Sequence, residues 1–287
     1  MEIGRWQEAE TASSARGAAS RAREAAARGE AADRRAWLVQ TIESEIIPRI
    51  IRAHEVRSAV VPALAQAPEK PDSASVSRLA EILVKGDICA ASAHVEEVRD
   101  RGTSLETVYL DLLAAAARRL GEMWTDDVFT FAEVTIGLGR LQQMLRALSP
   151  DFVGQSDAAV HGKSALLAGA PGEQHVFGLL MVAEFMRRSG WSVRCELTAS
   201  VDDLAEIVRK GEICLVGFSL SCAERVDALT AAIGQTRRAA SGHAVAVMVG
   251  GQVFVERPEL ASLVGADQTA ADGRAAAHQA AKLVIRP

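Results

Sequence analysis

Hydrophobic residues recur at intervals of three and four positions between residues 75 and 150. This is the period of amphipathic helices, and it predicts four of them in succession. The polar breaks fall at Gly86, at Gly102 and before Thr130, and the last helix is expected to end before Pro150, because proline interrupts helical hydrogen bonding. Four helices joined by short connections predict an antiparallel four-helix bundle over residues 75–150.

Over residues 160–287 the pattern changes to short apolar strands that alternate with amphipathic helices. Such alternation predicts a parallel sheet with helices on both faces, built from five βα units. The expected fold class is a flavodoxin-like (Rossmann-like) five-stranded α/β sheet, in which ligands bind beyond the carboxyl ends of the strands. The strands are expected at 164–168, 192–197, 213–219 and 244–249, with a fifth near residue 267.

The first 74 residues differ in composition from the rest. Residues 1–36 consist largely of Ala, Arg, Glu, Gly and Ser with few apolar anchors, so a flexible tail is expected. Residues 37–74 begin with apolar residues at helical spacing, which predicts one amphipathic helix, interrupted by Pro48 and followed by a proline-containing linker. This single long pattern is unlike the paired helices of a helix-turn-helix, so direct sequence-specific DNA binding is not expected.

The overall composition is that of a globular protein without a strong charge bias. Of the 287 residues, 49% are hydrophobic and 24% charged, and 32 Lys and Arg against 37 Asp and Glu give a net charge of −5. This balance argues against a protein that mainly coats nucleic acid. No apolar run approaches the roughly 18 residues that cross a bilayer, and the N-terminus lacks a secretory signal. The four cysteines have no CxxC spacing, so we expect free thiols, no membrane association and a cytoplasmic location.

Polar residues and glycines follow three of the predicted strands, where they would meet at one edge of a parallel sheet. His175 can bind a metal through one ring nitrogen, while Glu173 accepts a hydrogen bond from the other and fixes the tautomer. Each feature alone is more ordinarily a helix cap, a packing residue or a turn. Together they favour a bulky, metal-containing ligand with a long polar tail. The candidate binding residues are Glu173, Gln174, His175, Val176, Phe177 and Gly178 after the first strand, Ser219, Leu220 and Ser221 after the third, and Gly250 and Gly251 after the fourth.

These residues resemble the motifs of the cobalamin-binding Rossmann-like domain, which read D-x-H-x-x-G, S-x-L and G-G. The resemblance implies that His175 replaces the dimethylbenzimidazole base as the lower ligand of cobalt. It also implies that the displaced nucleotide tail enters the sheet and that the bundle caps the corrin ring. The expected cofactor is hydroxo-, methyl- or adenosylcobalamin. Two positions depart from the motif, since Glu173 stands where aspartate is usual and Ser221 where leucine is usual.

A narrower resemblance, over residues 37–287, is to the AerR/PpaA proteins of purple bacteria. It is carried by the Gly-Glu-Met-Trp-Thr-Asp-Asp run at 121–127, by residues 171–191 and by the Ile-Ile-Pro-Arg run at 46–49. That family consists of cobalamin-binding, light-responsive antirepressors related to the CarH and AppA sensor domains. The resemblance implies a regulator of photosynthesis genes that is not an enzyme and acts through a partner repressor of the CrtJ/PpsR type.

Trp124 is expected to lie over the upper face of the cobalt, because the related CarH photoreceptors place a tryptophan there. The alternative is that Trp124 belongs to the bundle core. The first interpretation is favoured because Asp126 and Asp127 make a polar loop directly after it. Val134 and Thr135 stand where CarH carries a Glu-His pair, and their smaller side chains leave space for an upper ligand such as water, hydroxide or an alkyl group.

Three other functions stay open at this point. The same two domains serve the corrinoid methyl carriers of methyltransferases, although the sequence supplies no catalytic barrel. A heme sensor would also use His175, since imidazole binds iron as well as cobalt. A flavodoxin-like phosphate binder is disfavoured, because a glycine-rich phosphate loop is missing and Glu173 would repel a phosphate.

Overall fold

The computed structural model describes residues 70–155, 162–240 and 242–284. The tail predicted for residues 1–36 and the amphipathic helix predicted after it lie outside the described residues. The described residues form a helical region followed by a five-stranded parallel sheet with helices, which is the fold class that the sequence predicts. None of their helices is long and apolar enough to span a membrane.

The helical region contains four helices, of which the third is built from three consecutive pieces. Each begins at a side chain that caps its first turn: the carboxylates of Asp72 and Asp87 and the hydroxyls of Ser104 and Thr130 accept hydrogen bonds from backbone N–H groups. The helices are α1 (Ser73–Lys85), α2 (Ile88–Asp100), α3 (Leu105–Thr107) continued by a π-helical turn (Val108–Leu113) and α4 (Ala114–Thr125), and α5 (Phe131–Gly154).

Helix α5 runs through Pro150 to Gly154, so the expected end before Pro150 is wrong. The proline removes one hydrogen bond, to the carbonyl of Arg146, and both residues lie on the exposed side of the helix, where water can replace that bond. The final turn persists because Phe152 is fully buried and its ring stacks on Tyr109, with the centroids 4.0 Å apart.

The sheet has the strand order β2-β1-β3-β4-β5 with all neighbours parallel, which is the flavodoxin-like order. The strands are β1 (Ser164–Gly169), β2 (Ser192–Glu196), β3 (Leu215–Ser219), β4 (Ala246–Gly250) and β5 (Gln268–Ala270). The helices of this region are α6 (Phe177–Arg188), α7 (Val201–Arg209), a 3-10 turn (Ala223–Arg225) with α8 (Val226–Ala239), α9 (Gln252–Glu256), α10 (Leu260–Leu263) and α11 (Gly273–Leu283).

Three strands end in one row at the carboxyl edge of the sheet. Gly169 pairs with Ser219, and Ser219 pairs with Gly250. The backbone N–H groups of Ala170 and Leu220 extend this ladder, donating to the carbonyls of Ser219 and Gly250 at 2.9 Å. The loops after β1, β3 and β4 therefore leave the sheet at the same level, which brings their side chains together.

An aromatic cluster joins the bundle to the sheet layer. Phe152 on α5 meets Phe185 on α6 edge to face, with the centroids 5.0 Å apart, and the guanidinium of Arg188 lies 4.5 Å above the Phe152 ring. The apolar core is continuous from the bundle to one face of the sheet, where it includes Leu167 and Met248. This packing holds the bundle against the sheet layer.

Candidate functional site

A cavity of about 460 Å³ lies between the bundle and the sheet. Its volume is typical of a small-molecule site, and its walls are mostly apolar. Helices α4 and α5 form a roof over the loops at the carboxyl edge of the sheet. The sheet contributes Leu167, Leu215, Gly217 and Met248, α4 contributes Ala114, Ala117, Gly121 and Trp124, and α5 contributes Phe131, Val134, Leu138 and Gln142.

His175 lines this cavity from the loop between β1 and α6, and 74% of its side chain is exposed. Its Nδ1 lies 2.7 Å from Oε1 of Glu173, whose side chain is completely buried. Because an ionised carboxylate only accepts hydrogen bonds, Nδ1 carries the hydrogen and Nε2 keeps its lone pair. The imidazole is thus held with the lone pair of Nε2 available to a metal.

Each carboxylate oxygen of Glu173 accepts at least two hydrogen bonds. Oε1 also accepts the backbone N–H groups of Gln174 and His175 at 2.8 Å each. Oε2 accepts the backbone N–H and the hydroxyl of Ser221 at 2.7 and 2.6 Å. The Ser221 hydroxyl oxygen also lies 2.8 Å from Nδ1 of His175. Ser221, at a position where the motif has leucine, therefore links the loop after β3 to the loop after β1.

This network decides the charge of Glu173. Burial is the largest single influence and raises the pKa of the carboxyl, but the combined hydrogen bonds from Ser221 and His175 outweigh it and lower the pKa to about 2. The carboxylate therefore stays ionised through the physiological range and keeps the imidazole in one tautomer.

Glycines shape the site in two different ways. Gly251 has a φ of 101°, and a Cβ there would lie 2.3 Å from the carbonyl oxygen of Leu220. A Cβ on Gly217, in the middle of β3, would lie 2.6 Å from Cδ2 of Leu167. A Cβ on Gly178, at the start of α6, would meet nothing within 4 Å. The first two glycines are therefore required by packing, whereas Gly178 leaves open space in the cavity.

Trp124 and Phe131 line the bundle side of the cavity. Their rings meet at 62° with centroids 6.1 Å apart, and 49% and 68% of their surfaces are exposed. This exposure disagrees with the alternative that Trp124 is a core residue. Val134, which is buried, and Thr135, whose hydroxyl donates to the Phe131 carbonyl at 2.7 Å, line the same roof.

Most of the residues expected from the sequence lie together at this cavity. Leu220 does not: it is fully buried, its carbonyl packs against Gly251, and its expected role in binding is corrected to packing. Glu173 and Ser221 lie behind His175 and support it without lining the cavity. The expected residues that line it are Trp124, Val134, Thr135, Gln174, His175, Val176, Phe177, Gly178, Ser219, Gly250 and Gly251.

Several lining residues were not predicted. Phe131, Leu138 and Gln142 lie on the same stripe of α5 as Val134 and Thr135, at helical spacing. This helical spacing from Val134 and Thr135 could have predicted that the three residues line the cavity. The α11 side of the cavity carried no signal, because its residues are small and unremarkable in sequence: Ala271, Asp272, Gly273 and Ala276.

Comparisons with known proteins agree with this geometry. A family model described as a B12 binding domain matches residues 163–281, and a second B12 binding domain model matches residues 76–149. An uncharacterized 20.5 kDa protein from the bchF–crtJ intergenic region of Rhodobacter capsulatus is 31% identical over 172 residues, which is 60% of this chain and 89% of the relative. The chain belongs to the AerR/PpaA-type family of cobalamin-binding proteins. Because both matched models describe B12 domains, nothing supports the heme alternative.

The fold of this AerR/PpaA-type chain is also found in a solved corrinoid protein. The monomethylamine corrinoid protein of Methanosarcina barkeri superposes with a TM-score of 0.62 and 14% identity, over 73% of this chain and 98% of that protein. At this identity the likeness concerns the fold, and a methyl-carrier function is not favoured.

The residues present fit the cofactor of the AerR/PpaA-type family. The exposed imidazole of His175 has one nitrogen fixed and the other available, as a lower cobalt ligand requires. Gly178 leaves room beside it. Between the sheet and α11 the cavity is lined by small residues, including Gly250, Gly273 and Ala276, which leave space for a nucleotide tail.

Proposed function

We propose that this chain is a light-responsive regulator of photosynthesis gene transcription that acts as an antirepressor. It binds cobalamin with His175 in place of the dimethylbenzimidazole base, works in the cytoplasm and catalyses no reaction of its own. One observation carries the proposal: a single cavity is lined by His175 on the sheet side and by Trp124 and Phe131 on the bundle side. A change at the cofactor therefore reaches a surface of the bundle.

The residues that would hold the cofactor have separate tasks. Nε2 of His175 would bind cobalt, while Glu173 and Ser221 keep the Nδ1 hydrogen in place and prevent the ring from turning. Gly178 lets a large ring approach the backbone. Gly250 and Gly251 line the part of the cavity where its tail would lie.

When bound, cobalamin supplies a cobalt centre whose upper ligand can be exchanged, by light in the alkyl forms. Trp124, Val134 and Thr135 form the part of the roof expected to face that ligand. The packing of these side chains would change with the size of the ligand. Such local repacking is how ligand switches shift the equilibrium between two positions of a larger structural element.

A repressor of the CrtJ/PpsR type is the proposed partner. The gene position of the Rhodobacter capsulatus relative, between bchF and crtJ, supports this choice. Action through a protein partner is also in keeping with the net charge of −5, which does not favour a nucleic-acid interface.

The test is an absorption spectrum of the purified full chain with hydroxocobalamin, and with methylcobalamin before and after illumination. We expect a cobalamin spectrum typical of histidine ligation, and a His175→Ala variant that loses this signature. His278→Ala is the matched control, because His278 is exposed on α11 and does not line the cavity.

The partner is tested by titrating a CrtJ/PpsR-type repressor with the loaded chain in the dark and in light. Binding that depends on illumination and on His175 supports the proposal. An unchanged spectrum in His175→Ala would contradict the cofactor assignment, and equal repressor binding by loaded and unloaded chain would contradict the regulatory role.

A further inference from the structure

Large apolar side chains are exposed on the bundle beside the cavity. Among the described residues six large hydrophobic side chains are exposed, and four of them fall between residues 124 and 136. We call these four the mouth patch. Its members are Trp124, Val128, Phe131 and Ile136, which are exposed by 49%, 56%, 68% and 52%.

The cavity accounts for only half of the mouth patch. Trp124 and Phe131 line the cavity, so a bound cofactor can cover them, whereas Val128 and Ile136 do not line it. Around α5, the exposed residues between Phe131 and Ile136 include the small Ala132 and Gly139 and the polar Thr135 and Gln143. The small side chains of Ala132 and Gly139 therefore leave space beside Ile136 for a second helix to approach α5 closely.

The surroundings of the mouth patch are acidic. Between Arg119 and Arg140 the chain carries four acids, Glu122, Asp126, Asp127 and Glu133, and neither lysine nor arginine. Glu122 pairs with Arg119 at 2.9 Å. In the described part of the chain no cation pairs with Asp126 or Asp127. The patch therefore presents apolar side chains beside the two carboxylates of Asp126 and Asp127, while a cation, Lys85, lies next to it, with its Nζ 5.4 Å from the centre of the Phe129 ring.

We propose that the mouth patch binds one amphipathic helix of a partner protein, with aliphatic residues on one face and lysine or arginine on its flanks. The apolar face would pack on Val128 and Ile136, and the basic flanks would lie near Asp126 and Asp127. The inference rests on the proposed function in one respect, namely that this helix belongs to the protein through which the chain acts.

The position of the patch couples this binding to the cavity. Trp124 and Phe131 belong to both surfaces, and their rings are in edge contact. A ligand that moves either ring changes the surface presented to the partner helix. By linkage, the partner helix must change the affinity for the cofactor by the same factor.

The probe is a labelled synthetic peptide of about 20 residues with leucine at helical spacing and lysine on the flanks. Its affinity for the full chain is measured by fluorescence anisotropy, with and without hydroxocobalamin. We expect Val128→Lys and Ile136→Lys each to weaken binding at least ~10-fold, since each removes an apolar contact and adds a like charge.

Leu263→Lys is the matched control, because Leu263 is 72% exposed on α10, away from the cavity. It should bind as the unmodified chain does, and a peptide with glutamate in place of lysine should bind at least ~10-fold more weakly than the basic one. Equal binding of the two peptides, or unchanged affinity in both patch variants, would overturn the proposal. Light scattering that shows a dimer of the unmodified chain and a monomer for Ile136→Lys would also overturn it, because the patch would then bind a second copy of the chain.

The two proposals fail separately. If the chain does not bind hydroxocobalamin, the proposed function is wrong, but the peptide titration of the unloaded chain still tests the patch. If cobalamin binds and the peptide does not, only the docking proposal is lost.

Discussion

Glu173 holds His175 through an Oε1–Nδ1 contact of 2.7 Å, with the carboxylate buried and the imidazole three-quarters exposed. The buried carboxylate thus supports a ring that is proposed to bind the metal. Because the carboxylate lies out of solvent, the contact is screened by salt less than an exposed ion pair would be.

Replacement of Glu173 by glutamine should weaken hydroxocobalamin binding by about 10–100-fold, because a neutral amide makes the imidazole less basic and does not select its tautomer. Spectroscopic titration gives the dissociation constant. Glu173→Asp is the comparison, since it keeps the charge and restores the residue usual in the motif. Equal affinity of the glutamine variant and the unmodified chain would show that the contact is only structural.

Stability should depend on pH through Glu173. Its pKa is lowered from 4.5 to about 2 in the folded chain. The carboxylate therefore contributes stability that is complete above about pH 4.5 and is lost as the pH falls towards 2, by roughly 2 kcal/mol between pH 6 and pH 3. Urea unfolding at both pH values measures this change. The Glu173→Gln variant should not show this loss of unfolding free energy between pH 6 and pH 3. An equal loss in the variant and the unmodified chain would refute the assignment.

Ser221→Ala should destabilise the chain by about 1–3 kcal/mol, because Oε2 of buried Glu173 loses a hydroxyl donor at 2.6 Å and keeps only the backbone N–H of Ser221. Chemical denaturation gives the free energy of unfolding. Ser262→Ala removes an exposed hydroxyl bonded to the Glu259 carbonyl and should change little. If both variants unfold alike, Ser221 does not support the carboxylate.

Gly251→Ala should cost about 2 kcal/mol or more, since φ is 101° and a Cβ would lie 2.3 Å from the Leu220 carbonyl oxygen. Thermal and urea unfolding measure the loss. The matched comparison is Gly242→Ala, where φ is 106° but an added Cβ meets nothing within 4 Å, so only the backbone strain remains. A similar loss of stability in the two variants would mean that the backbone at Leu220 moves away from an added Cβ at little energetic cost.

Gly178→Leu separates binding from folding. A Cβ at this position meets nothing within 4 Å in the folded chain, and alanine or leucine suits a helix better than glycine. We expect stability within about 1 kcal/mol of the unmodified chain, together with at least ~10-fold weaker cobalamin binding, because the leucine occupies the cavity. Unimpaired binding would place the cofactor away from α6.

The fold could be predicted from the sequence because the local signals for helix ends and strands agree with the pattern of buried residues. Asp87 and Ser104 cap helices at the expected breaks, and the apolar strands take the expected order. Pro150 is the exception, because its local signal is overridden by the stack of Phe152 on Tyr109, a contact with a residue more than forty positions away. A single-sequence pattern does not contain that contact.

Part of the site could be predicted for the same reason. Glu173 and His175 are two positions apart, so their contact follows from local spacing. The contribution of Ser221 depends on the register of β1 and β3, which places two distant loops at one level. Leu220 was included because it lies between Ser219 and Ser221 in the stretch that resembles S-x-L, and the sequence does not reveal that it is fully buried with its carbonyl against Gly251.

Helix α5 has 24 residues and is anchored near its end by Phe152. Phe131, at the other end, lies about 31 Å from that anchor, so a tilt of one degree about Phe152 displaces it by roughly 0.5 Å. Pro150, which lacks one backbone hydrogen bond, is two residues from the anchor. A bend of α5 at this turn would therefore move Phe131, and with it the roof of the cavity, by fractions of an ångström.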